Sequence, residues 1–221
     1  MPAMKLRSVG GPRGPFLLPA ESAECSRHSE ACSRNVFDGE YSYPRPAGAE
    51  RVRSVLDIGC NLGSFIVWAC HVWWPGQIEH VNAYDPNAAA VEIARLNTTG
   101  LPVTFHDVAV TSAAPPVFFR EIENWGGART YGETSGVEVA TLHPRELPAA
   151  DVLKVDGEGI EPEVFEHYQH WNGVMVAMFE YHDPSHREPV QGACRRAGLT
   201  PVRYNPLNPD GDVQVWVRRA A

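Results

Sequence analysis

Five short stretches of this sequence hold residues whose types and spacing could do chemistry. The first is Asp57-Ile58-Gly59-Cys60-Asn61-Leu62-Gly63. Glycines there let the chain turn tightly and bring backbone amides against a ligand at a helix N-terminus. A dinucleotide fingerprint would read Gly-x-Gly-x-x-Gly and aim a helix dipole at a pyrophosphate, whereas here Asn61 holds the middle position and an acid leads. An acid-led turn suits a cationic ligand; the plainer alternative is that Asp57 caps the next helix. The second is Asp85, before Pro86, where a carboxylate can reach the two hydroxyls of a ribose lying across the strand ends. Taken alone, it would be an ordinary helix cap. The third, His106-Asp107-Val108, could hold an adenine through the Asp107 carboxylate and the Val108 amide, an assignment resting on position. The fourth, Leu153-Lys154-Val155-Asp156-Gly157-Glu158-Gly159-Ile160-Glu161, packs a cation, acids and glycines into one turn. The fifth, Phe179-Glu180-Tyr181-His182, brings an acid and an imidazole to the same rim. Lys154 and Glu180 could equally be a structural pair on adjacent strands, and Glu161 before Pro162 a helix-start acid.

S-adenosylmethionine carries an ammonium and a sulfonium and no phosphate, so an acid-led glycine turn fits it electrostatically. Its expected contacts are Asp57, Gly59, Asn61, Gly63, Asp85, Asp107, Val108 and Asp156. Methyl transfer from a sulfonium is an in-line displacement, which asks the protein to align the acceptor and to remove a proton when the acceptor is a hydroxyl. His182 is the expected base for its near-neutral intrinsic pKa, Glu158 is second, and Asp156 anchors cofactor or acceptor. Asp156, Glu158 and Glu180 could instead hold Mg2+, a reading not favoured because strand-end acids alone do not set a coordination number. Cys25, His28 and Cys32 are spaced like half a zinc knuckle with no second pair nearby, which leaves polar residues as the simpler reading.

These residues need strand ends to stand on, and the apolar runs supply them. Val52 to Ile58 reads as a buried parallel strand, Ser64 to Val72 as the helix after the glycine turn, Ile78 to Tyr84 as a second strand and Pro86 to Leu96 as a second helix. Val103 to Val110 is a third strand. Val117 to Glu121 and Val137 to Leu142 are short strands, and Ala150 to Val155 is the fourth core strand. Glu161 to Trp171 and Ser185 to Ala197 are helices flanking the strand Val174 to Tyr181. Thr200 to Tyr204 and Val213 to Val217 form a closing hairpin. The expectation is an α/β Rossmann-like sandwich: a mostly parallel seven-stranded sheet with a C-terminal antiparallel hairpin and helices on both faces. That hairpin favours a class I methyltransferase over a dinucleotide-binding dehydrogenase. Residues 1–35, rich in glycine and early proline without a sustained apolar period, are expected to be a flexible leader or lid, with residues 36–221 a single methyltransferase domain.

The 221 residues, 43% of them hydrophobic, suffice for one core. Net charge is -8, from 27 acidic against 19 basic residues. That balance argues against nucleic acid as a partner and for a small-molecule acceptor. The short apolar piece Phe16 to Leu18 is too little for a signal peptide or a membrane span, so a cytoplasmic protein is expected. Oligomeric state is not legible.

The glycine motif with Asn61 at its centre, the Leu153 to Glu161 motif and Phe179-Glu180-Tyr181-His182 together resemble the FkbM family of methyltransferases, over about residues 52–184. The resemblance implies a Rossmann-like fold, S-adenosylmethionine as methyl donor, and acceptors that are often hydroxyls of natural products or sugars. Gly157 departs from the family's usual apolar residue between Asp156 and Glu158, and His143 stands where an acid is common. The alternative is a protein that binds S-adenosylmethionine without transferring its methyl group and acts through a partner.

Overall fold

A computed structural model describes residues 5–20, 22–45, 48–120, 129–130, 136–204 and 213–219. In chain order, strands β1 (Leu6–Gly11) and β2 (Gly14–Pro19) form an antiparallel hairpin and lead into helix α1 (Ala23–Phe37). The alternating core follows: β3 (Ser54–Ile58), α2 (Ser64–Trp68), β4 (His80–Tyr84), α3 (Ala88–Asn97) and β5 (Val103–His106). A set of short strands interrupts it: β6 (Ala109–Val110), β7 (Val117–Arg120), β8 (Arg129–Thr130), β9 (Val137–Val139) and β10 (Thr141–Leu142). The chain then closes through β11 (Val152–Val155), α4 (Glu161–His167), β12 (Val176–Glu180), α5 (Arg187–Arg196), β13 (Leu199–Tyr204) and β14 (Val213–Arg218).

The main sheet has seven strands in the order β13-β14-β12-β11-β3-β4-β5. Only β14 runs against its neighbours, inserted antiparallel between β12 and β13. This is the Rossmann-like methyltransferase sandwich expected, with the hairpin at its C-terminal edge. From β3 the chain winds one way through β4 to β5, and from β11 the other way through β12, so strand order reverses between β3 and β11. Open α/β sheets leave a crevice outside the carboxyl ends of the strands at such a reversal.

Side-chain alternation explains why both faces must be covered. Val55 and Val152 point to one face, where they pack with Phe65, Ile66 and Trp68 of α2; Leu56, Ile58, Leu153 and Val155 point to the other, against Val164 and Phe165 of α4 and Val190 of α5. The core strands are therefore apolar on both sides, which is what made them readable as continuous runs.

Two boundaries differ from expectation. The third strand leaves the sheet after His106, and Ala109 and Val110 pair instead with β10. The helix after β11 stops at His167, where Tyr168 turns to an extended ψ of 130°. The segment expected as a flexible leader or lid holds a hairpin and a helix, for which no boundaries were expected. Phe16 and Leu18 are buried with Leu62, Ala90 and Ile93, and the Leu17 amide donates to Asn97 Oδ1 at 2.7 Å.

Candidate functional site

The glycine turn sits where β3 ends. Gly59 has φ 78°, and a Cβ there would lie 1.8 Å from the Asp156 carbonyl oxygen, so the two strand-end loops touch only because this residue is glycine. Gly63, at φ 80°, is the N-cap of α2, which has no side-chain cap. Asp57 therefore does not cap that helix.

Register explains what Asp57 does. It pairs with Lys154 across β3 and β11, which puts both side chains on one face of the sheet. The Lys154 ammonium lies 3.1 Å from Asp57 Oδ1 and 3.5 Å from Asp156 Oδ2, and donates to the Gly59 carbonyl at 2.6 Å. Asp57 and Lys154 are both buried, at 0% and 3% exposure. Burial pushes the lysine pKa down, but the charges of Asp57 and Asp156 outweigh it and hold the ammonium above the ordinary lysine range. Lys154 thus pins the glycine turn and both acids, and its ion-pair partners are these two rather than Glu180.

Two clefts open at this end of the sheet, with Gly59, Asn61, Asp156 and Glu158 as their common wall. The first passes from the glycine turn over Asp85 and Pro86 to a slot of Val108, Ala109, Val110 and Phe119. Asp85 is held in place by two backbone amides: Oδ2 accepts from Asn61 and Oδ1 from Asn87, each at 2.9 Å. Burial raises its pKa to about 6, against the opposing pull of those amides. The cap of α3 is Asn87, whose side chain accepts from the Ala89 and Ala90 amides, so Asp85 is spared for the cleft. Asp85 thus stands between the glycine turn and a largely apolar slot. Phe119, which sequence reasoning missed, stands on one of the interrupting strands; the apolar run Val117-Phe118-Phe119 was its only signal.

Asp107 lies elsewhere. It is exposed, 3.4 Å from Arg95, and lines neither cleft. The chain bends there as it leaves the sheet, which turns Val108 inward and Asp107 outward, so an adenine contact from its carboxylate is corrected.

The second cleft is walled by α1 through His28, Ser29, Cys32 and Ser33, and lined at its base by Glu40, Lys154, Asp156, Glu158, Glu180 and His182. The leader is thus part of the site. Cys32 Sγ lies 3.5 Å from His28 Nε2; the side chain of Cys25 falls outside the described residues. Burial and then the Asp156 charge push Glu40 up to about 7 and Glu180 up to about 8, with His182 opposing the latter rise.

His182 is ringed by carboxylates. Nε2 lies 3.3 Å from Glu158 and 3.6 Å from Asp156 Oδ1, while Nδ1 lies 3.4 Å from the fully buried Glu161. Burial depresses the imidazolium, but the Glu161 hydrogen bond and the charges of Asp156 and Glu158 outweigh it and raise its pKa to about 9. That shift favours the protonated ring, which counts against the expected reading of His182 as a near-neutral base. Glu161, expected as a helix-start acid, accepts from the Gly157 and Gly159 amides at 3.0 and 3.2 Å and shapes this loop. A Cβ on Gly157 would lie 2.5 Å from the Ile160 side chain, which fills the space an apolar residue would take. Glu158 adopts a left-handed φ of 58° on the common wall, as strained residues at functional sites do.

No family model and no curated protein matches this chain. Among solved structures it is similar to the methyltransferase FkbM from Methylobacillus flagellatus KT, with 13% identity and a TM-score of 0.51 over 81% of this chain and 50% of that one. It is also similar to the methyltransferase of the Haloferax volcanii Trm112 complex, at 11% identity and TM-score 0.48 over 90% and 96% of the two chains. The mitomycin 7-O-methyltransferase MmcR aligns at 13% identity and TM-score 0.45 over 87% and 55%. The FkbM likeness supports the methyltransferase fold. Among the described residues, no helix is long and apolar enough to cross a membrane.

Proposed function

We propose that this chain binds S-adenosylmethionine in the first cleft and transfers its methyl group to a hydroxyl of a small molecule held in the second. The observation that carries this reading is the common wall of Gly59, Asn61, Asp156 and Glu158, across which the two clefts meet at the strand-order reversal. When bound, the cofactor supplies an electrophilic methyl on a sulfonium. The chain's own residues do the rest. Asp85 binds the ribose, the Val108 to Phe119 slot takes the base, and the glycine turn pinned by Lys154 passes the aminoacyl end toward the wall. The carboxylates there favour a cationic ligand over a pyrophosphate. Glu158 lines both clefts, and we assign it the acceptor's proton. His182, favoured as an imidazolium, orients Glu158 from 3.3 Å. A positioned base contributes roughly 10² to 10⁴ in rate.

Calorimetry with S-adenosylhomocysteine and with NAD, followed by labelled methyl transfer from donor into a small-molecule extract, tests the reading. Binding of the nucleoside and a labelled product are expected. Saturable NAD binding without response to S-adenosylhomocysteine would overturn the donor assignment, and donor binding without any labelled product would favour a binding protein acting through a partner.

A further inference from the structure

The second cleft gathers more carboxyl groups than an oxygen acceptor needs. Four of them, on Glu40, Asp156, Glu158 and Glu180, share its base with Lys154 and His182. One place within it has the donor set and spacing of a metal centre. Asp156, Glu180 and His182 each offer a ligand atom, all within 4.8 Å of one another. Bonds of roughly 2.0 to 2.6 Å to a common ion place opposite ligands at up to about twice that length, so this spacing lets one ion touch all three.

The neighbours of these residues leave the right atoms facing the cleft. Tyr41 donates to Asp156 Oδ2 at 3.3 Å and Lys154 lies 3.5 Å from the same oxygen, while Oδ1 is turned toward His182. Glu161, which is fully buried and anchored by two backbone amides, faces His182 Nδ1 and leaves Nε2 toward Asp156. A buried carboxylate behind an imidazole is how proteins fix the orientation of a metal-binding histidine and raise its basicity. Glu161 does not line the cleft, so its position is independent of the acidic lining.

We infer that Asp156, Glu180 and His182 form a binding site for a divalent cation of the Mn2+ or Mg2+ class on the acceptor side of the common wall. The set differs from a purely carboxylate one: His182 joins Asp156 and Glu180, while Glu158 stays on the wall. Two carboxylates and an imidazole leave coordination positions for water and for acceptor oxygens. If the methyl-transfer reading above holds, on which this clause rests, the ion would bind the acceptor hydroxyl and ease its deprotonation. The binding of the ion itself requires no acceptor.

The test is Mn2+ alone, titrated into the purified full chain and followed by loss of the free-ion electron paramagnetic resonance signal. One saturable site is expected. Glu180→Gln and His182→Asn should each weaken it by roughly 10-fold or more, the lower end of what perturbing a metal site's supporting groups costs. Asp107→Asn, which removes an exposed carboxylate outside both clefts, should leave it unchanged. Circular dichroism establishes that each variant is folded, and S-adenosylhomocysteine calorimetry on the same samples tests the methyl-donor reading separately. No saturable Mn2+ binding, or equal affinity in the wild type and both folded variants, would overturn the site. Loss of nucleoside binding with Mn2+ binding intact would sink the methyl-donor reading and leave the metal site standing.

Discussion

Replacing Lys154 by methionine tests the arrangement on which the site depends. The ammonium is the group that compensates Asp57, which has 0% exposure, and it also pins the Gly59 carbonyl at 2.6 Å. Methionine fills much of the volume but leaves the carboxylate buried without its counter-charge. Removing one partner of a buried pair costs about 3 to 5 kcal/mol, a large share of the roughly 5 to 15 kcal/mol that holds a domain folded. The same geometry predicts an asymmetry. Asp57→Asn should cost less, because Lys154 keeps Asp156 at 3.5 Å. The double variant Asp57→Leu with Lys154→Met removes both charges and should recover much of the loss, since apolar replacement of a whole buried pair is often neutral or stabilising. Urea denaturation of the four proteins, read as midpoint and slope, measures this directly. A Lys154→Met protein within about 1 kcal/mol of wild type would refute the reasoning, as would a double variant no better than the single.

The clefts make further predictions. With the Asp85 carboxyl raised to about 6, and ribose hydroxyls donating more strongly to its ionised form, S-adenosylhomocysteine affinity should be full above neutrality and fall as pH drops through that value. Calorimetry from pH 5 to 8 checks this, and Asp85→Asn should bind more weakly with the pH dependence gone. Asp107→Ala should leave nucleoside affinity unchanged, because that side chain faces Arg95 on the surface; a substantial loss would return it to the cleft. Phe119→Ala opens the base slot and should weaken the nucleoside by roughly 10-fold or more without shifting the pH profile, an aromatic truncation in a pocket being worth a few kcal/mol at most. Once an acceptor is known, Glu158→Gln should lower single-turnover methyl transfer by roughly 10² to 10⁴ while donor affinity holds; wild-type turnover would remove it as proton acceptor.

The core strands were legible because parallel strands buried on both faces read as unbroken apolar runs, and the acids at their ends, Asp57 before Gly59, Asp85, Asp156 and Glu180, gather at one end of the sheet. Strand-end position therefore located the site. What each acid does there depends on neighbours that sequence order hides. Asp57 and Lys154 lie far apart in the chain and meet only through the register of β3 on β11. Asp107 turns outward because the chain leaves the sheet at that residue, a bend no local pattern announces. The packing of the leader was not legible because Phe16 and Leu18 have no apolar period of their own and are held by Leu62, Ala90 and Ile93 from distant elements. His182 shows the same limit in electrostatic form. Its residue type suggests a near-neutral base, yet Glu161, Asp156 and Glu158 converge on the ring from a different loop and raise its pKa. The intrinsic chemistry of a side chain is written in the sequence, but its charge state is set by the groups the fold brings within a few ångströms. Here those groups favour the protonated ring at a position whose residue type suggests a base.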